Sequence, residues 1–374
     1  MKTIGIVGGG QLGKMLTDAA HKLGYKVIIL ESKNDCPAAS VTDEQILGSF
    51  KDKDKILELA NMCDVVTFEI ESANVEALDE LVASGKEVHP NPKTLKIIKD
   101  KFNQKVFLKE NNIPVSDFLI INSLSDAEKV GESFGYPFLL KTRFDAYDGR
   151  GNFVIHNKEE IKDALIKFGD APLYAEKFFH FVKELAVVSA RGKDGTIVTF
   201  PVVETIHKNN ICHIVRSPAQ VEKSVSDSAS ELAQKVLNAL EGVGVFAIEM
   251  FLSEKGEVVV NEIAPRVHNS GHLTIEAFDM SQFEAHVRAI TGMPLVAPQE
   301  LAKASVMVNI LGGRDGKADL GGVEEAEMLG GVKVHIYGKL DTRKERKMGH
   351  ITATGDTVEE AESKALEARS KVSI

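Results

Sequence analysis

Apolar runs alternate with amphipathic stretches, and this pattern divides the chain into three parts. From residue 1 to about 90, the aliphatic runs TIGIVG, YKVIILE and VVTFEI are separated by segments with apolar residues at helical spacing. Those segments, GQLGKMLTDAAHKLG, DKDKILELANM and NVEALDELVASG, predict helices, the first ended by Gly24 and the last by Gly85. Strand–helix alternation predicts a doubly wound parallel sheet with a short final strand at VHP. Pro90 and Pro92 punctuate its end.

A helix over 94–111 leads into the second part. Ser125 with Glu128 predicts a capping box for the next helix, which Gly135-Tyr136-Pro137 stops. Strand FLLKTR, loop FDAYDGRGNF, strand VIH and helix KEEIKDALIKF follow. AEKFFHFVKELAVVSARG and TIVTFPVVETIH predict antiparallel strands turning at Lys193-Asp194-Gly195. A helix over 226–240 and an acidic hairpin complete this part near residue 295. The rest, from 300 to 374, holds short strands, Gly-rich turns and a final helix capped by Thr357 and Glu360.

The hairpin FAIEMFLSEKGEVVVNEIA, beginning at Phe246, carries one carboxylate on each apolar strand, Glu249 and Glu262. A turn with two central residues at Ser253-Glu254-Lys255-Gly256 pairs Glu249 with Val260 and puts Glu262 on the same face. Two acids on a buried face repel and are costly to desolvate unless a cation neutralises them. Such a pair suits Mg²⁺, which takes a few protein oxygens together with substrate phosphates. Asn261, Arg266, His268, Asn269 and Ser270 form a polar run at the end of the second strand, which reads as a reaction centre beside a magnesium–phosphate site.

Other motifs are weaker alone. Gly8-Gly9-Gly10-Gln11-Leu12-Gly13, followed by Glu31, has the form of a dinucleotide fingerprint, which keeps an NAD-linked oxidoreductase open. Its plainer reading is a tight turn presenting a helix N-terminus to any anion. Lys141 lies in an otherwise apolar strand, where an ammonium needs an anion unless its head reaches solvent. The polar loop Asp145 to Asn152 contains two glycines and can cradle phosphate through backbone N–H groups. Glu176-Lys177-Phe178-Phe179 and Glu184 can read adenosine, although such residues are more often surface positions. His207 before a turn is more often exposed than a ligand. Lys339, Arg343, Arg346 and Lys347 form a basic cluster, a solvated face or a phosphate clamp.

Bulk properties exclude some classes. The length of 374 residues predicts more than one core. A net charge of −10 argues against a nucleic-acid partner. Cys36, Cys63 and Cys212 are scattered without metal or disulfide spacing. A strand begins almost at once, leaving no room for a signal peptide, and no apolar run reaches the roughly 20 residues of a membrane span. A cytoplasmic protein without membrane contact is expected.

Together VGGGQLGKML, AYDGRGN, VNEIAPRVHNSGHLTIEA and RKMGH resemble the ATP-grasp superfamily and, within it, the 5-(carboxyamino)imidazole ribonucleotide synthase family. The resemblance covers nearly the whole chain. It implies a mixed α/β and α+β architecture: an N-terminal α/β domain over 1–100, a two-lobed ATP-grasp domain over 101–298 with a mobile lid near 117–178, and a small C-terminal domain over 299–374. The implied reaction is ATP- and bicarbonate-dependent carboxylation of the amine of aminoimidazole ribonucleotide through carboxyphosphate, in purine biosynthesis, by a homodimer acting only on small molecules. A pair of Mg²⁺ ions would accompany ATP.

Carried over residue by residue, Lys101 and Lys141 are ATP phosphate ligands. Ala146, Tyr147, Asp148, Gly149, Arg150, Gly151 and Asn152 cover the phosphates. Glu176, Lys177, Phe178, Phe179, Glu184 and His207 hold the nucleoside. Glu249 and Glu262 hold Mg²⁺, with Asn261 alongside. Arg266, His268, Asn269 and Ser270 take bicarbonate, and Asp148 accepts the amine proton. Gln11, Leu12, Glu69, Glu71, Arg150, Lys339 and Arg346 contact the ribonucleotide. The chain has PRVHNSGH where the family's form is PRPHNSGH, and RKER at 343–346 where Pro-Gly is common. A formate-using sister enzyme and a non-catalytic nucleotide sensor are the other readings.

Overall fold

The computed structural model describes residues 2–144 and 151–374. Its first layer is a parallel sheet of β1 (Thr3–Val7), β2 (Lys26–Glu31), β3 (Glu44–Leu47), β4 (Val65–Phe68) and β5 (Glu87–Val88), in the order β3-β2-β1-β4-β5. Helices α1 (Gln11–Lys22), α2 (Lys53–Asn61) and α3 (Val75–Ala83) connect it. The central strands are aliphatic because both faces are covered: Ile4, Ile6, Val7, Val27, Ile29, Leu30, Val66 and Phe68 are all buried. Strand β3 was not expected. Its EQIL segment is a short edge whose pairing with β2 fixes it.

The helix expected over 94–111 is two helices, α4 (Pro92–Lys99) and α5 (Lys101–Glu110). Asp100 between them is extended, and its carboxylate accepts the Phe102 and Asn103 N–H groups as the N-cap of α5. A side chain capping the second helix requires a backbone that cannot continue the first. The break starts α5 at Lys101 and sets Lys105 one turn later on the same face.

A four-stranded antiparallel sheet follows, β6 (Phe118–Ile121), β7 (Phe138–Thr142), β8 (Asn152–Ile155) and β9 (Leu173–Lys177), in the order β6-β9-β7-β8. It packs on α6 (Leu124–Phe134) and α7 (Glu160–Phe168). The cap of α6 is Ser123, not Ser125. Ser123 Oγ accepts the Asp126 N–H at 3.1 Å, and Asp126 accepts the Asn122 N–H in return. Ser125 falls inside the first turn.

The largest sheet has nine antiparallel strands. Its path is β15 (Val258–Ala264), β14 (Gly244–Leu252), β10 (Lys183–Arg191), β12 (Val203–Lys208), β13 (Ile211–Ser217), β16 (Ala304–Leu311), β20 (Lys347–Gly355) and β18 (Val332–Ile336). Strand β11 (Ile197–Thr199) pairs with β10, while β17 (Gly316–Lys317) and β19 (Asp341–Thr342) form a separate ribbon. Helix α8 (Lys223–Leu240) covers one face, and α9 (Thr274–Ala277) and α10 (Gln282–Thr291) lie toward the first layer. Residues 299–374 therefore extend the central sheet: β13 pairs with β16 from Ile214↔Val308 to Ser217↔Ser305. After α11 (Val323–Glu327), α12 (Val358–Lys371) packs Ala361, Ala365 and Ala368 on this extension, and Thr357 caps it as expected.

Candidate active site

The acidic hairpin reaches its geometry through a register different from the expected one. Leu252 pairs with Val258, so residues 253–257 form a longer loop. In that register Glu249 would face Asn261, and Glu262 would point to the opposite face. A β-bulge between Glu249 and Met250 adds one residue, Asn261, on β15 and brings Glu249 opposite Glu262. The shared face is the expected one, and the bulge creates it.

Two half-buried carboxylates facing each other perturb one another. Burial raises the Glu249 carboxyl, and Glu262 and Glu184 raise it further. Burial also acts on Glu262, but Lys101, whose ammonium is hydrogen-bonded to it, holds that carboxyl below its ordinary range. One acid is paired with an ammonium while its neighbour meets the imidazole of His268, a donor set that fits a Mg²⁺ ion supplied with a nucleotide. Among the described residues no three His, Cys, Asp or Glu side chains form a metal cage by themselves. Phosphate oxygens would complete the coordination.

Across from this hairpin, the four-stranded sheet contributes Lys141 and Glu176. Lys141 Nζ lies 3.1 Å from Glu176 Oε2, Lys105 Nζ lies 3.4 Å from Oε1, and Tyr174 donates to Oε1 at 3.0 Å. Burial alone would raise the Glu176 carboxyl, yet Lys105 and Lys141 hold it at about 2. The carboxylate expected at the nucleoside is thus an internal counter-ion that presents Lys141 to the cleft. Lys105, also hydrogen-bonded to Val260 O at 3.3 Å, ties α5 to both sheets. Its place in FNQKVFLKE gave it the appearance of a surface lysine.

The residues expected at the nucleoside lie on the β9–β10 crossover and the strands that flank it. Phe179 and Phe181 stack on Phe251, with the Phe181 ring 4.4 Å from it, and Phe178 meets His180 edge-on. Glu184 Oε2 is 3.2 Å from His207 Nδ1, and burial pushes the Glu184 carboxyl up to about 7. Lys177 is exposed. The structure therefore brings Glu184, His207 and Glu249 to one end of the diacid face.

The polar run beyond β15 folds back beside Glu249. His268 Nε2 is 3.5 Å from Glu249 Oε1, and its Nδ1 is 2.9 Å from Ser270 Oγ. Burial and the Arg266 charge keep this imidazole neutral, well below its usual range. Arg266 pairs with Glu71 at 3.1 Å, joining the first layer to the reaction loop. Lys347, at the start of β20, is close enough to act on both Glu249 and His268. Asn269 is held by Asn309 and the His268 backbone by Gln282, and neither holding residue was expected from sequence.

The glycine turn before α1 is explained by a carboxylate. Glu69 accepts N–H groups of Gly10 and Gly13, the latter at 2.6 Å. A Cβ at Gly8 would lie 2.5 Å from Glu69 Cγ, and one at Gly10 would lie 2.8 Å from its Oε1. Glu69 therefore fills the slot a dinucleotide pyrophosphate needs, which removes the NAD reading. Gln11 and Leu12 open α1 beside it. Lys339, lowered to about 8 by burial and Arg346, feels the Glu69 charge and donates to Lys347 O at 2.6 Å. Arg346 donates to Asp341 O. Ala146, Tyr147, Asp148, Gly149 and Arg150 lie outside the described residues, while Gly151 is buried beside Asn152 at the start of β8.

Sequence and structure comparisons identify the family. The family models for the ribonucleotide synthetase preATP-grasp domain, the ATP-grasp domain and the phosphoribosylaminoimidazole carboxylase C-terminal domain match residues 1–99, 106–283 and 305–364. A phosphoribosylaminoimidazole carboxylase from Ogataea methanolica is 46% identical over 96% of this chain, which spans 68% of that protein. The crystal structure of N5-carboxyaminoimidazole ribonucleotide synthetase from Thermotoga maritima is 45% identical, with a TM-score of 0.90, and covers 100% of this chain and 99% of its own. An Aspergillus clavatus N5-carboxyaminoimidazole synthase, solved with ADP and 5-aminoimidazole ribonucleotide, is 38% identical, with a TM-score of 0.90 over 98% of this chain and 97% of its own. With the diacid hairpin, Lys141 and the loop beyond the hairpin inside the matched ATP-grasp region, this chain belongs to the N5-carboxyaminoimidazole ribonucleotide synthase family of ATP-grasp enzymes.

Proposed function

We propose that the protein is a ligase that uses ATP and bicarbonate to carboxylate the exocyclic amine of 5-aminoimidazole ribonucleotide, giving the 5-carboxyamino product, ADP and phosphate. The observation that carries this reading is the bulged hairpin, which puts a diacid for nucleotide-bound Mg²⁺ directly before a loop of Arg266, His268, Asn269 and Ser270. A bicarbonate oxygen attacks the γ-phosphorus, the bond to the β-phosphate oxygen breaks, and ADP leaves as carboxyphosphate forms. Lys141 and Lys101 face the charge that builds on the phosphoryl oxygens. Mg²⁺ held by Glu249 and Glu262 would neutralise more of that charge.

Arg266 and the Asn269 amide hold the carboxylate end, and neutral His268 donates or accepts without adding charge. Carboxyphosphate breaks to CO₂ and phosphate, the amine nitrogen bonds to the CO₂ carbon, and Asp148 takes the amine proton. The ribonucleotide lies along Gln11, Leu12, Glu69 and Glu71, with its phosphate toward Lys339 and Arg346. Glu69 repels phosphate from the glycine turn and so sets this direction. A homodimer in the cytoplasm is the working assembly that goes with this reading.

The test is ADP formation with purified protein. It should require both bicarbonate and aminoimidazole ribonucleotide, and formate should not replace bicarbonate. ADP release indifferent to both co-substrates would overturn the assignment.

A further inference from the structure

The reaction loop is held from behind by two buried amides that are not themselves among the expected ATP, metal or ribonucleotide ligands. Asn309, on β16, is 3% exposed. Its Nδ2 donates to Asn269 Oδ1 at 2.6 Å and to Cys212 O at 2.9 Å, and its Oδ1 accepts from Asn269 Nδ2 at 3.0 Å. Gln282, at the first turn of α10, is fully buried. Its Oε1 accepts the His268 N–H at 2.9 Å, and its Nε2 donates to the His268 carbonyl at 2.7 Å. Gly271 completes the fit, because a Cβ there would fall 2.5 Å from Gln282 Oε1.

This pattern limits how Asn269 can move. Both donors of Asn309 and one acceptor position are in use, so the reciprocal amide pair fixes the Asn269 plane and its O/N orientation. One Asn269 N–H and one lone pair remain for a ligand. Gln282 meanwhile acts on the neighbouring residue as a peptide group would in a sheet, fixing the backbone from which Asn269 projects. Neither residue reaches the reacting atoms, so each can act only through the loop.

We infer that Asn309 is a positioning residue that sets the orientation of the Asn269 amide toward the bicarbonate-derived group, with Gln282 fixing the backbone beneath it. This rests on the carboxylation reading above. When Asn309 is lost, Asn269 can rotate, ATP binding is unaffected, and the acyl phosphate is retained less well before the amine captures its carbon. More ATP is then cleaved for each carboxylated amine. Misplacing a positioning group by about 1 Å typically costs on the order of 100-fold in rate.

The experiment is a double-mutant cycle on full-length protein with Asn309→Ala, the isosteric Asn309→Asp, Asn269→Ala and the pair, in a bicarbonate-dependent assay reading ADP and carboxylated product separately. Asn309→Ala should raise the bicarbonate KM or lower kcat by roughly tenfold or more and raise ADP formed per product, with the ATP KM within about twofold. In the Asn269→Ala background the same change should have less than about a twofold further effect. Multiplicative losses in the double variant, or unchanged ADP-to-product stoichiometry in an active Asn309 variant, would overturn the inference. If Asn309→Ala does not fold, Asn309→Asp, which keeps the shape but replaces the donors, carries the same comparison. Wild-type protein without bicarbonate-dependent ADP formation would instead refute the carboxylation reading.

Discussion

Lys105 is the residue whose importance was least visible in the sequence. It lies in a helix of mixed polarity where a lysine ordinarily points to water, and only the fold buries it against Glu176 and Val260 O. Removing Lys105 leaves Glu176 with Lys141 and Tyr174 as its remaining partners, so the cost stays below the roughly 3 kcal/mol of a wholly uncompensated buried charge. Lys105→Met should therefore lower unfolding free energy by less than about 3 kcal/mol in urea titrations. Lys105→Met with Glu176→Gln should lose less than the sum of the single changes. Full additivity would mean that the two groups do not interact. By contrast, Lys141 was legible because a charge in an apolar strand demands a counter-ion. Its partner was not, since Glu176 is 35 residues away in sequence. Asn309 and Gln282 carried no signal at all, because polar residues in a strand and at a helix start are ordinary until the loop they hold is known.

Among elements, those with strong periodicity were legible: the four apolar-rich segments β1, β2, β4 and β7, helices α1 to α3 and the capped α12. Failures occurred where one side chain decides between two local structures. Asp100 splits α4 from α5, and Ser123 outcompetes Ser125 as a cap. The hairpin is the most instructive case. Its two carboxylates share a face because the extra residue, Asn261, is left out of the pairing, and no alternation pattern records an extra residue. Deleting Asn261 should leave a regular ladder in which Met250 still pairs with Val260 and Glu249 still faces Glu262. The deletion variant should keep a cooperative thermal transition and an upward shift with MgATP like that of the parent protein. Loss of the MgATP shift would show that the site needs Asn261 or the bulge itself, beyond the pairing of the two carboxylates.

For the whole molecule, buried histidines set the response to acid. His286 joins the first layer to the large sheet: its Nδ1 accepts the Val245 N–H at 3.1 Å, so its Nε2 donates to Thr67 Oγ1 at 2.9 Å. Burial lowers His286 and His272 to about 3 and His89 to about 4. The unfolded chain binds these protons near pH 6.5, so between that value and about 4 it holds more protons than the fold, and stability falls as pH falls. Glu184 works in the opposite direction, because its burial penalty is relieved between about 7 and 4.5. Below pH 4.5 the histidine loss continues and is joined by those of Glu176 and Glu262, whose carboxyls are held below their ordinary range. The urea midpoint should change little from pH 7 to 5 and drop steeply below about 4.5. A midpoint that rises below pH 4.5 would contradict this assignment. Among the described residues no helix is long and apolar enough to cross a membrane, in line with the sequence expectation for this feature.

Finally, the sheet that runs unbroken from β15 to β18 determines where the chain can be divided. Strand β13 is hydrogen-bonded to β16 on the side away from β12, and the family boundary falls between these paired strands. A fragment ending near residue 298 would leave β13 as an open strand with a row of unpaired amides and carbonyls, a template for joining other chains. Such a fragment should self-associate, and the missing segment supplied in trans as a separate peptide should restore a monodisperse particle by completing the ladder.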